Sequence, residues 1–308
     1  MDIKCLNSYH QSCKGLLAQR LEQRTHNPLV VGSNPTGPTK RFMCAFRLLF
    51  FGDIVGHPGR VFLKEQLPAL KERYKPDFVF ANGENATGGF GLNKAIAQEL
   101  KASGIDGITL GNHTWNQREF WNEIGQLDYV CRPLNLPEGC PGNTSVVFEF
   151  EGHKLALLNL LGRAYSREAL DCPYKTIQYQ IEQLRSAGVD NFIVDVHAEA
   201  TAEKYTLGWF LSEIEGVSCV VGTHTHIQTA DEHILNGTTA FICDLGMCGS
   251  YNSILGFKKE SILEKAISGK PCRFEVAKSP SMINGAFITL DLEAHKAISI
   301  ERIRILED

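Results

Sequence analysis

Long apolar runs, paired cysteines and a surplus of basic charge are all missing from this 308-residue chain. With no stretch approaching about eighteen consecutive apolar residues, a membrane-spanning helix is not expected. The start, MDIKCLNSYHQSCKGLL, lacks an apolar signal core followed by a small-residue cleavage site, so the expected location is the cytoplasm. Ten cysteines are scattered without a CxxC pair, a distribution that suits reduced, mostly buried thiols rather than a disulfide framework. The formal charge of -4 offers no broad basic surface to nucleic acid, so a phosphate-bearing substrate would have to be attracted locally. The run TGGFG lacks the GK[ST] of a phosphate-cradling loop and reads instead as a mobile loop.

What is present is a soluble, globular composition, 43% hydrophobic and 21% charged, able to bury a large core in one domain or two. Residues 1–42 stand apart. QRLEQRTHNPLVVGSNPTGPTK is polar, carries two prolines in SNPTGPT and shows neither a helical nor a strand period. It resembles the peptide made when a reading frame runs through a neighbouring transfer-RNA gene, which would make Met43 the start; a flexible functional arm is the alternative. The segment holds Lys4, Lys14, Arg20, Arg24, Lys40 and Arg41 against only Asp2 and Glu22, so the body, residues 43–308, is more acidic than the whole. The body is expected to be a single domain and 1–42 a disordered or spurious extension.

From Arg47 onward short apolar strands alternate with amphipathic helices, the pattern of α/β architecture. RLLFF, DFVFA and GITL are strand candidates, with helices expected near 59–74 and 92–102. After a Pro-, Asn- and Gly-rich loop at 132–143, SVVFEF and KLALLNL flank an EGH turn as a hairpin. NFIVDV, SCVVG and TTAFICD are further strands, and FITLDL with AISIERIRI predicts a closing hairpin.

Polar, ionisable residues collect at the carboxyl ends of these strands: Asp53, Glu84, Asn112 with His113, His197, and His224 with His226. In open α/β sheets that edge binds ligands, so distant segments can converge on one pocket. Carboxylate, amide oxygen and imidazole are the donors a hydrolytic two-metal site requires. On an extended segment the two histidines of THTH would face the same way. Each element alone has an ordinary explanation, GD as a turn, GNH as a helix cap, HxH as packing histidines. Their order along successive strand ends favours a shared site.

GD, an acidic residue in NGEN, GNH, a strand-end histidine and GTHTH together resemble the calcineurin-like binuclear metallophosphoesterase superfamily. GDIVGHPGR, NGENATGGFGL, LGNHTW, DVHAEATAEK, GTHTHIQTAD and DLGMCGSYNSILG resemble its YmdB family of bacterial phosphodiesterases, over essentially everything from Leu48 onward. The superfamily's usual first motif is Asp-x-His, whereas this chain reads Asp53-Ile54-Val55, and its usual bridging aspartate is Glu84 here. The resemblance implies a four-layer α/β sandwich, two mixed sheets packed face to face with helices outside. It implies that Asp53, Glu84, Asn85 and His226 hold one metal ion and Glu84, Asn112, His197 and His224 the other. The ions would be divalent or mixed-valence, iron or manganese, about 3.5 to 4 Å apart, activating a hydroxide for in-line attack on phosphorus. His113 resembles the family's general acid, with a supporting contact to phosphate or ligand as its ordinary role.

The implied substrates are cyclic nucleotides, 2',3'-cyclic first and 3',5'-cyclic next. A phosphomonoesterase or 5'-nucleotidase, or a regulatory RNA- or protein-binding protein with secondary catalysis, is the alternative. RNA and a second copy of the chain are candidate partners; a membrane is not. Lesser candidates are Arg132 as a phosphate clamp or a solvated loop residue, and Met247 and Tyr251 as base-pocket or core residues. Asp231 and Asp244 are candidates for carboxylates that orient the metal-bound imidazoles.

Overall fold

The computed structural model describes residues 45–307, so the expectation for residues 1–42 lies outside the described residues. The chain proceeds through β1 (Ala45–Ile54), α1 (Gly56–Tyr74), β2 (Phe78–Asn82), α2 (Lys94–Ser103), β3 (Gly107–Thr109), α3 (Phe120–Glu123) and β4 (Val130–Cys131). Then come β5 (Ser145–Phe150), β6 (His153–Leu161), α4 (Pro173–Ser186), β7 (Asn191–His197), α5 (Thr201–Ser212) and β8 (Val217–Thr223). Last are β9 (His233–Leu235), β10 (Thr239–Ile242), β11 (Met247–Ser250), α6 (Lys259–Ser268), β12 (Ser281–Asp291) and β13 (Lys296–Leu306).

Two mixed sheets result. One runs β13-β12-β11-β1-β2-β3-β4 and the other β5-β6-β7-β8-β10-β9. Strand alternation sorts their side chains into three apolar layers. From β1, Phe46, Leu48 and Phe50 face inward and meet Leu155 and Leu157 of β6 and Ile193 of β7 between the sheets. Leu49 and Phe51 face outward to Phe62, Leu63 and Leu67 of α1 and Leu100 of α2. On the far side, Val194 and Val196 of β7 pack on Ile177 and Ile181 of α4 and Leu207 and Leu211 of α5. Helix, sheet, sheet, helix is the four-layer sandwich expected, and no helix among the described residues is long and apolar enough to cross a membrane.

Both predicted hairpins form, β5 with β6 and β12 with β13. The helix expected near 92–102 begins at Lys94, where the Asn93 side chain accepts the Ile96 amide at 2.9 Å, a cap that sets the boundary. Elements with weak sequence signals were missed: β11 is four residues long, and α5, apolar around much of its circumference, is buried along Leu207, Gly208 and Leu211. Four of the seven free cysteines among the described residues are buried, and burial pushes the Cys131 and Cys248 thiols up to about 12, which keeps them protonated and unreactive.

The site edge is shaped where β1 changes partner. Residues Ala45 to Phe51 pair antiparallel with β12, and then Asp53 and Ile54 pair parallel with Met247 and Cys248 of β11. The register against β2 slips between Phe51 and Asp53. Without that slip, Asp53 would share the outward face of Leu49 and Phe51. With it, Ile54 packs in the outer core and the Asp53 carboxylate turns inward, the re-aiming that a bulge produces.

Candidate metal centre

The inward face of each strand ends in a polar group once the apolar layer is complete. On β7 the face that carries Ile193 continues to Asp195 and His197, and on β8 it continues from Val221 to Thr223. Opposite them stand Asn82 at the end of β2 and Thr109 at the end of β3. The sheets are stitched here. Asp195 Oδ2 accepts from Thr109 Oγ1 at 2.5 Å and from Asn82 Nδ2 at 3.0 Å, and Asp195 Oδ1 accepts from Thr223 Oγ1 at 2.7 Å.

That stitch decides the His197 tautomer. Thr223 gives its only proton to Asp195, so at 2.9 Å from His197 Nδ1 its oxygen can only accept. Nδ1 therefore carries the proton and Nε2 presents a lone pair inward. The same reasoning holds for the other two imidazoles. His226 Nδ1 lies 3.0 Å from the Leu255 carbonyl, which fixes Nε2 as its free nitrogen. His224 Nε2 lies 3.0 Å from Glu199 Oε2, which fixes Nδ1.

These lone pairs meet other acceptors. His197 Nε2 stands 3.0 Å from Glu84 Oε1, 3.0 Å from Asn112 Oδ1 and 3.0 Å from His224 Nδ1. The Glu84, His197 and His224 donor atoms all lie within 4.8 Å of one another. Beside them, His226 Nε2 accepts from Asn85 Nδ2 at 3.1 Å and stands 3.7 Å from Asp53 Oδ1. Asn85 Nδ2 donates to Glu84 Oε1 at 3.0 Å, so Glu84 belongs to both groups. Asp53 Oδ1 and Asn85 Oδ1 are buried polar atoms with no hydrogen-bond partner. Such orphans are costly unless a ligand satisfies them. Turning the Asn85 amide over would present its oxygen to a cation.

Acceptors facing acceptors, as Glu84 Oε1, Asn112 Oδ1 and His224 Nδ1 face His197 Nε2, call for a cation. Burial opposes charge on His197, yet Glu84 beside it carries its pKa up to about 9. Burial would also raise Glu84, but His197 holds that carboxyl well below its usual range. Burial lifts Asp53 to about 6 against the pull of His226 and His197, and burial with His197 nearby drives His224 down to about 3. The donor set and its orphaned oxygens fit hard or borderline metal ions.

The seven residues expected to hold metal, and His113, come together here. His113 is placed by its backbone N–H, which donates to Glu84 Oε2 at 3.0 Å, and its ring packs edge-on to Phe90 with centroids 5.0 Å apart. Sequence reasoning missed Asp195, whose signal was an aspartate inside an otherwise apolar strand. It also missed Gly111 of LGNH: a Cβ there would collide with the Glu84 carboxylate and the His197 ring, so only glycine leaves the centre open. Glu199 was missed because nothing local marks its contact with His224.

Several expectations are corrected. THTH is not extended: β8 ends at Thr223, and His224 and His226 take φ values of 100° and 64°, a strained turn that aims their different nitrogens inward. Its tension is held by Thr225, whose N–H and hydroxyl donate to Asp244 Oδ2 at 3.0 and 2.7 Å. Lys204 Nζ, fully buried, reaches the same oxygen at 2.6 Å and the Thr223 carbonyl at 3.1 Å. Asp244 thus orients the turn, not an imidazole, and Asp231 accepts from the Tyr205 hydroxyl and the Cys243 amide. Arg132 is buried and donates to the carbonyls of Pro133, Cys140 and Pro141, so it is neither a phosphate clamp nor solvated. TGGFG is tied down by Thr87 N–H to Gly91 O, Phe90 N–H to Thr87 O and Gln117 Nε2–H to Phe90 O. Met247 packs with Val55 and Met282, and Tyr251 is exposed; neither lines a cleft at the centre.

Two clefts open beside the centre. One of about 230 Å³ carries Ser166, Arg167 and Glu199, and the other, of about 380 Å³, carries His113, Phe90 and Phe257. A two-sheet sandwich with carboxylate, amide and imidazole donors converging at its strand ends defines a protein of the metallophosphoesterase fold class. The YmdB-like protein family model matches residues 49–303. The 2',3'-cyclic-nucleotide 2'-phosphodiesterase of Bacillus subtilis (strain 168) is 44% identical over 262 residues, 85% of this chain and 98% of that protein. A phosphatase from Mycoplasma pneumoniae superposes with a TM-score of 0.80 at 35% identity, covering 86% of this chain and 95% of the other. A 5'-nucleotidase precursor from Thermus thermophilus shares the fold, with a TM-score of 0.53 at 13% identity over 86% of this chain and 55% of its own. The chain belongs to the YmdB-like family.

Proposed function

We propose that this chain is a metal-dependent phosphodiesterase that hydrolyses cyclic nucleotides, 2',3'-cyclic ones first, with two ions held by the seven converging residues. The observation that carries the reading is the convergence of His197 Nε2, Glu84 Oε1, Asn112 Oδ1 and His224 Nδ1, all acceptors, beside the buried and unpartnered Asp53 Oδ1 and Asn85 Oδ1. Asp53, Glu84, Asn85 and His226 form one donor group and Glu84, Asn112, His197 and His224 the other. Iron or manganese suits these donors, and soft Cu(I) does not. When bound, the metal pair supplies Lewis acidity and a nucleophile available at neutral pH.

The chain's own residues do the rest. Glu199, Thr223 and the Leu255 carbonyl keep the three imidazoles in the tautomer that leaves the inward nitrogen free. Gly111 keeps the floor open to the phosphate. His113, held by its backbone against Glu84 and by its ring against Phe90, faces the 380 Å³ cleft, where its ring N–H can give a proton to the ribose oxygen as the P–O bond to that oxygen breaks. The likeness to the 44%-identical 2',3'-cyclic-nucleotide 2'-phosphodiesterase supports the same choice of substrate.

Elemental analysis of the purified chain, combined with turnover of 2',3'- and 3',5'-cyclic nucleotides and of simple phosphate monoesters, tests the reading. Stoichiometric metal with cyclic diesters turned over faster than monoesters is expected. Faster monoester turnover would assign a phosphatase or 5'-nucleotidase instead.

A further inference from the structure

The larger cleft changes character along its length. At the metal end it is walled by Glu84, Asn85, His113 and the histidine turn, and away from it by Ile254, Phe257, Ile262 and Phe274. Phe90 and Phe257 are stacked, with centroids 5.0 Å apart and planes 25° apart, and Phe274 leans on Phe257 at 5.9 Å. Already in contact, these rings form a wall and leave no slot between them. The wall is anchored from behind: Gly89 has φ of +94°, and a Cβ there would stand 2.8 Å from Phe257 Cε1, so the TGGFG loop and Phe257 fit only with glycine between them.

Most of the backbone groups along the wall are already engaged and so do not read a base edge. The Phe90 carbonyl is taken by Gln117 and its N–H by Thr87. The Leu255 carbonyl is taken by His226, and Ile254 and Phe257 exchange their backbone hydrogen bonds. The polar side chains lining the cleft all belong to the metal end or adjoin it. At about 380 Å³ the space lies in the roughly 300–1,000 Å³ range of small-ligand pockets.

We propose that this aromatic wall is the nucleobase subsite, taking the base of a nucleotide by stacking alone while its phosphate lies at the metal centre. The inference rests on the proposed cyclic-nucleotide activity and deepens it: the enzyme senses that a base is present, and how large it is, and does not sense which purine it is. Stacking follows ring area, and every base offers a π-face.

The test uses the full-length, metal-loaded protein and two separate readouts. Turnover of 2',3'-cyclic adenosine, guanosine and uridine phosphates tests the proposed function. Calorimetric binding of adenosine, guanosine and uridine 3'-monophosphates against ribose 3-phosphate tests the subsite. Nucleotides are expected to bind about 5- to 150-fold more tightly than ribose phosphate, with purines ahead of uridine and adenine and guanine within about twofold of each other. Phe257→Leu should shrink the advantage of nucleotide over ribose phosphate and Phe257→Trp should restore it; Phe274→Ala gives the same readout from a side chain that is not in the core. Ribose phosphate binding as tightly as the nucleotides overturns the subsite even where cyclic nucleotides are turned over. A tenfold preference between adenine and guanine overturns recognition by stacking alone. Base-dependent binding without cyclic-nucleotide turnover upholds the subsite and sinks the substrate assignment instead.

Discussion

The two sheets make unequal contributions to the centre. Asp53 lies near the end of β1, and Glu84, Asn85 and Asn112 follow β2 and β3 of the seven-stranded sheet, all four with side-chain oxygens, whereas His197, His224 and His226 end or follow β7 and β8 of the other. The oxygen side is built on buried turns whose geometry comes from backbone hydrogen bonds, such as Gly83 N–H to Thr109 O and Gly56 N–H to Asn85 O. The nitrogen side needs external support: a tautomer chain through Thr223 to Asp195 for His197, and a buried ion pair to hold the strained turn of His224 and His226. A carboxylate offers acceptors whichever way it rotates, but an imidazole offers one lone pair that must be aimed. The histidine side therefore depends on more of the molecule than the oxygen side does.

Glu84→Gln attacks the one residue shared by both donor groups, keeping its shape and removing its charge. It should reduce turnover to the detection floor and lower metal content, a larger loss than the 10–100-fold typical of a supporting group. Normal turnover with two ions still bound would break the two-group arrangement. His113→Ala leaves both halves of the centre in place and removes only the proposed acid, so it should cost about 10² to 10⁴-fold on a cyclic nucleotide. On a nitrophenyl diester, whose leaving group departs without a proton, the loss should be small; equal losses on both substrates, with metal retained, would reject the acid role.

The next change tests the nitrogen side alone. Lys204→Met strands the Asp244 carboxylate in the core, which should cost roughly 3–5 kcal/mol in a denaturant titration. Lys204→Met with Asp244→Leu should recover much of that stability while metal affinity stays low, because the Thr225 contacts are gone. Full metal affinity in the double variant would show that the turn holds itself. The smallest effect is expected from Asp195→Asn, which puts an amide donor among the groups that now donate to the carboxylate. Metal affinity should fall about 10–100-fold, measured by competition with a chelator, with the fold kept. An unchanged affinity would mean that Thr223 alone orients His197.

Much of this was legible in the residue order. Continuous apolar runs such as RLLFF and NFIVDV mark strands because a sheet covered on both faces leaves them little choice, and the polar group that ends each run marks the rim. Asp53, Glu84, Asn112, His113, His197, His224 and His226 could be found as strand ends, and the family likeness added Asn85 and the acid role expected of His113. The parts that stayed hidden are those that depend on a partner far along the chain. Asp195 looks like an anomaly in an apolar strand until Thr109 and Asn82, from the other sheet, donate to it. Arg132 looks like a loop cation until three loop carbonyls surround it.

Residue type and order alone determined which donors this protein has and which end of the strands they occupy, because both follow from local chemistry and strand period. Which nitrogen each histidine offers, which way Asp53 faces and where a base can stack were decided only by the tertiary structure. The tautomers come from single hydrogen-bond partners on other elements, the Asp53 direction from a one-residue slip where β1 changes neighbours, and the aromatic wall from Phe90, Phe257 and Phe274, brought together from separate loops. Each is a contact between segments that the chain's local pattern does not connect.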